Sequence, residues 1–132
     1  MRIPAEPFDL PLLNALLAQA REENRRQNPA QRWLLLEAAH VVGQTRLVPH
    51  ARVHALMLAT AWQERAWAEL IGQAFRLALV PLGHLSGRLP LGNTGRSNVS
   101  AFAAMDVKPE IRALVDNMRR RDPLASTTTA RP

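Results

Sequence analysis

The chain has no cysteine and no tyrosine, a single lysine at Lys108, and only 5% aromatic residues. Each shortage removes a class of function. Without cysteine there are no disulfides, thiolate metal sites, iron–sulfur clusters or thiol nucleophiles. With so few aromatics, none alternating with basic residues, the stacking platforms of single-strand nucleic-acid binders are missing. No apolar run approaches the roughly 20 residues that span a bilayer. The first residues, Met1 to Pro7, lack the apolar stretch of a secretory signal, so a cytoplasmic location is the expectation.

At 132 residues and 47% hydrophobic content, the chain fits one globular domain with a real core. The net charge of +6 is almost all arginine. A basic domain invites a nucleic-acid reading, but the arginines are spread along the chain and only Arg119-Arg120-Arg121 form a run. Those three fit a helix C-terminus, where cations complement the dipole. Nucleic acid and membrane are therefore not the expected partners.

The sequence reads as helices punctuated by proline. Asp9 caps a first helix with Pro11 in its first turn, running to about Asn28, with Leu12, Leu13, Leu16, Leu17 and Ala20 as its apolar stripe. Asn28-Pro29 opens a second helix that ends near Gly43. Pro49 opens a third, from His50 to about Glu64; a fourth covers Trp67 to Val80 and stops at Pro81; a fifth starts at Pro109. No segment alternates as a strand would. The expected fold is all-α, a compact bundle of about five helices with a long ordered loop between helices 4 and 5. The expected domain is 1–121, with 122–132 a disordered tail. Trp33, Trp62 and Trp67 are expected in the core.

Three of the four histidines lie within fifteen residues of one another. Glu37 and His40 sit three apart on the second helix, His50 and His54 four apart on the third, and such spacings project from one helix face. Imidazole and carboxylate converging from neighbouring helices is how bundles build interior metal sites. Glu37, His40, His50 and His54 are the candidate ligands. Nitrogen and oxygen donors without sulfur favour zinc, iron or manganese over copper(I). The competing reading is a buried hydrogen-bond network. Paired histidine spacings on consecutive helices favour metal. His84 falls in the following loop and outside the ligand set.

Ala39-His40-Val41-Val42-Gly43-Gln44 is echoed by Ala68-Glu69-Leu70-Ile71-Gly72-Gln73. That echo makes Gln44, Glu69 and Gln73 candidates to complete or support the site. The segment Leu82 to Val107 holds four of the six glycines. Gly92-Asn93-Thr94-Gly95 can form a tight turn with inward amides, flanked by Arg88 and Arg96, but it lacks the Gly-Lys-Ser/Thr ending of a phosphate loop. Asn93, Thr94 and Asn98 are read as holding a lid over the bundle end through side-chain bonds to backbone.

Taken together, His50-Ala51-Arg52-Val53-His54, the Glu37-to-Gln44 segment, Gly72-Gln73 and Gly92-Asn93-Thr94-Gly95-x-x-Asn98-Val99-Ser100 resemble a small bacterial family catalogued as a domain of unknown function. The resemblance covers about Gln31 to Val115. Ala51 stands where valine is usual, and Arg96 where a second glycine is usual. The family implies that these motifs belong together and supplies no activity. Two readings follow from the residues. One is a small metal-binding helical protein, for metal handling or as a metalloenzyme. The other is a helical interaction module with a buried polar network and no metal. A homodimer or protein partner is plausible in either. No paired-carboxylate or serine–histidine–aspartate arrangement can be argued, so enzymatic activity stays an open question.

Overall fold

A computed structural model describes residues 7–121. It contains five helices: α1 Leu10–Arg25, α2 Pro29–Gly43, α3 Leu47–Glu64, α4 Trp67–Ser86 and α5 Pro109–Arg121. No strand occurs among the described residues. The expected all-α bundle and its long segment between the fourth and fifth helices are both present. The expected tail lies outside the described residues.

Local chemistry accounts for the helix starts. The Asp9 carboxylate accepts from the Leu12 amide, and the Asn28 side chain from the Gln31 amide, each ahead of a proline that has no N–H to orphan. Helix α3 begins at Leu47, one turn before the expected start. Pro49 sits inside its first turn, where a missing N–H costs nothing. Helix α4 departs further. It runs through Pro81 to Ser86, with Gly87 closing it at φ +69°. The proline removes one donor from the helix ladder, and the helix continues for five residues past it. His84 therefore lies on α4, not in the loop.

Helices α1 and α2 form one hairpin and α3 and α4 a second; α2 packs against α3, and α5 lies against α2 and α1. The expected stripe of α1 is buried in full, alongside Leu35, Leu36, Val41, Val42, Val53, Met57, Ile111 and Val115. Trp33 joins this core, its indole N–H donating to Glu64 at 2.8 Å. Trp62 and Trp67 do not. They are 64% and 52% exposed and meet edge to face at 5.7 Å near the α3–α4 turn. Among the described residues, no helix is long and apolar enough to cross a membrane.

Candidate metal centre

Three residues, Gln44 to Arg46, separate α2 from α3. The last turn of α2 and the first turns of α3 are therefore neighbours. His40 comes from the former, His50 and His54 from the latter, and all three are buried. Their ring nitrogens converge. The Nε2 atoms of His40 and His50 are 3.1 Å apart, those of His40 and His54 3.1 Å, and those of His50 and His54 3.2 Å.

The opposite nitrogen of each ring is tied down. His40 Nδ1 lies 2.7 Å from the Asn93 carbonyl oxygen, His54 Nδ1 2.8 Å from Gln73 Oε1, and His50 Nδ1 3.0 Å from His84 Nε2. Two of these partners, the carbonyl and the amide oxygen, fix a tautomer. A carbonyl oxygen only accepts, so His40 carries its proton on Nδ1. The Gln73 amide nitrogen donates to Glu69 Oε1 and to the Gly95 carbonyl, both at 2.8 Å. Its oxygen is thus turned to His54, which also carries its proton on Nδ1. The Nε2 atoms of His40 and His54 then face each other as bare lone pairs at 3.1 Å. A proton on His50 Nε2 could answer only one of them. A cation among the three answers all.

Burial holds the group neutral. It is the main force that lowers His40 well below the ordinary imidazole range, assisted by His54 and His50. The same burial, with His54 and His84 beside it, brings His50 down to about 3. Burial lowers His54 too, against its bond to Gln73 and with the help of Arg76. Because the folded protein resists protonation at these rings, stability is fully present above the ordinary histidine value and drains away as pH falls below it. Between pH 6.5 and 4, His50 alone would cost the metal-free protein about 3 kcal/mol. A thermal melt of metal-free protein should therefore drop steeply over that interval. A flat profile would contradict the enclosed, neutral triad.

Glu37, the fourth expected ligand, does not join the three. Its carboxylate faces Arg96 at 3.6 Å, and burial raises its pKa while Arg96 pulls it down. Arg96 lies 3.8 Å over the Trp33 ring and 3.2 Å from Glu69. Its backbone needs no positive φ. Glu69 does not join the three either. Burial raises its pKa, but bonds from Ser97 and Gln73 outweigh this and leave it lowered.

The expected supporting residues meet the loop. Gln44 donates to the Pro90 carbonyl and accepts from the Gly92 amide. Glu69 accepts from the Ser97 amide and hydroxyl. Asn93 donates to the Ser100 and Ala103 carbonyls and accepts from the Gly95 amide. Thr94 is buried and accepts from the Arg96 amide; Asn98 is exposed. The two echoed segments thus grip one loop, Gln44 near Gly92 and Gln73 at Gly95. Two contributors are absent from the expected set. His84 reaches the triad only because α4 continues past Pro81. Arg76, buried and bonded to the Val99 carbonyl, sits near enough to depress His40 and His54. The Arg76 spacing, three residues after Gln73, was the only sequence signal for it.

All three histidines line one cavity of about 480 Å³ that opens to the surface, its other walls formed by Arg76, Leu79, Val80, Leu82, Leu89 and the loop. Among the described residues, His40, His50 and His54 are the group of acidic, cysteine or histidine side chains that could hold a metal ion.

Residues 10–115 match the family described as protein of unknown function, DUF3703. The chain belongs to that family. No curated protein and no solved structure matches it. The convergent histidines and the loop that meets them fall inside the matched span.

Proposed function

We propose that the protein binds a divalent transition metal, zinc before others, through the Nε2 atoms of His40, His50 and His54. The fourth coordination position would be turned to the cavity. The observation that carries this is three nitrogens 3.1–3.2 Å apart whose rings are each held from behind. With metal–nitrogen distances of about 2.0–2.1 Å, an ion touching all three would sit about 1 Å to one side of their plane. Little rearrangement is needed.

The donor set argues for zinc over the other expected ions. Manganese prefers carboxylate and water, and non-haem iron sites commonly pair two histidines with a carboxylate. Here Glu37 is held by Arg96 and Glu69 by Ser97, Gln73 and Arg96, so neither acid joins the three. Structural zinc sites are closed by four protein ligands, whereas three histidines with a free position hold water or substrate and lower the pKa of bound water to about 7. The reading is therefore of an exchangeable centre, in a metal-handling protein or a small metalloenzyme, more than of a structural staple. A protein-interaction module with a metal-free polar network remains the competing reading, but it leaves the facing lone pairs of His40 and His54 without an explanation.

Metal analysis of untagged protein tests this directly. About one zinc per chain is expected, kept in Glu37→Gln and lost in His54→Ala. Metal-free protein that takes up no zinc would overturn the reading. Gln73→Leu frees the His54 ring from its orienting oxygen. Partners of this kind are worth about 10–100-fold in metal affinity, and competition with a chelator should show a loss of that size.

A further inference from the structure

The cavity beside the triad has an unusual lining. Its walls are Leu79, Val80, Leu82, Leu89, Pro90 and Phe102, and its charged side chains are Arg76 and Arg88. No aspartate or glutamate lines it. A metal ion at the histidines would add two positive charges to that of Arg76. The acid that attracts Arg76, Glu69, is already engaged with Ser97, Gln73 and Arg96. Charge of one sign inside low-dielectric walls draws in the opposite sign. The volume is in the range of small-molecule sites, which combine apolar walls with a few fixed polar groups.

Resting on the metal reading, we propose that this cavity binds a small organic acid with an apolar body, its carboxylate at the metal's fourth position and its body along Leu79, Leu89 and Phe102. A phosphate head fits worse. Its charge and its several oxygens need many donors, and the lining offers mainly hydrocarbon. A carboxylate would need one open position on the metal to take its lone pair, and one cationic neighbour, which Arg76 supplies.

The test uses Co²⁺-loaded protein, whose visible absorption reports the coordination shell, titrated with octanoate, acetate and octanol. Octanoate should change the spectrum and bind at least 100-fold tighter than acetate, with octanol leaving the spectrum unaltered. Leu79→Trp, which fills the cavity, should keep the starting Co²⁺ spectrum and lose the octanoate response. A Co²⁺ spectrum that octanoate leaves unchanged, or acetate binding as tight as octanoate, overturns this inference alone. Failure of Co²⁺ to bind overturns the metal reading and takes this inference with it.

A separate observation concerns the outer face of α4. Ile71, Phe75, Ala78, Leu82 and Leu85 recur at spacings of four and three, the pattern of a coiled-coil seam. They are exposed, Ile71 by 71% and Leu85 by 85%. The titratable residues of α4, Glu69, Arg76 and His84, all turn inward to the loop or the triad. Every exposed residue from Trp67 to Leu85 is apolar. An uncharged, solvent-facing helix surface is a contact surface. We infer that it pairs with α4 of a second copy, because a seam of this spacing is complementary to itself. With Trp67, one turn before Ile71, the exposed apolar side chains of this face offer on the order of 700 Å² per copy, close to what each partner of a standard interface buries. Leu82 belongs both to this seam and to the cavity wall, so pairing would also shelter the cavity mouth.

Sedimentation of the full chain at micromolar concentration should give a dimer. Ile71→Glu and Leu82→Glu should each give a monomer with unchanged helicity. A monomer at 100 µM, or a monomer that instead sediments with phosphatidylcholine vesicles, would overturn the pairing.

Discussion

Saturating zinc should raise the melting temperature of metal-free protein by about 10 °C, and His54→Ala should erase the rise. A ligand held only by the folded state stabilises it by about 2.7 kcal/mol at a hundredfold excess over its Kd. For a domain of this size each kcal/mol moves the midpoint by about 4 °C. The triad sharpens the expectation. Without metal, the folded state must hold the Nε2 atoms of His40 and His54 lone pair to lone pair at 3.1 Å in a buried setting. Removing one ring relieves that repulsion while leaving a small cavity, so His54→Ala should cost the metal-free protein little. In zinc it should cost the whole metal contribution. His40→Ala and His50→Ala should behave alike, and combining any two should add almost nothing, because one missing nitrogen already breaks the shell. His84→Ala differs in kind: it touches His50 from behind, so zinc should still stabilise, but with affinity reduced about 10–100-fold. A thermal shift that survives His54→Ala would mean that zinc acts elsewhere on the chain.

Much of this centre was legible in the sequence because helix periodicity is local. His50 and His54 share a face of α3 whatever the tertiary fold, and a tight turn after Gly43 brings His40 to them. Helix starts were equally readable at Asp9 and Asn28, where a side chain caps a proline-led turn. What failed depended on longer-range competition. Pro81 read as a stop, yet the surrounding helix tolerates one missing donor, and that difference alone moves His84 from loop to site. Glu37 satisfied the spacing rule with His40, but spacing does not choose between partners on the same face. Arg96 arrives from 59 positions along the chain and takes the carboxylate. Trp62 and Trp67 are expected in the core by residue type, which does not register that both sit at the exposed turn between α3 and α4.

Two glycines of the loop give the second large effect, and their contrast separates backbone strain from the site itself. Gly95 and Gly87 both have positive φ, +80° and +69°. An alanine at either must adopt a left-handed conformation at about 1–2 kcal/mol. At Gly87 nothing lies within 4 Å of the added methyl group, so Gly87→Ala should lose that amount of stability and keep its zinc. At Gly95 the methyl group would stand 2.7 Å from His40 Cδ2 and 2.8 Å from Cγ. The ring cannot retreat freely, since Nδ1 is held by Asn93, two residues away on the same loop, and Nε2 faces the other histidines. Either the ring swings out of the triangle or the loop lifts and takes the Asn93 carbonyl with it. Both routes damage metal binding. Gly95→Ala should therefore weaken zinc by roughly 100-fold, the upper end of what disturbing an orienting partner costs, with a loss of stability no greater than about twice that of Gly87→Ala. Equal zinc affinity in the two variants would mean that the loop does not press on His40, and that the triad is held by its helices alone.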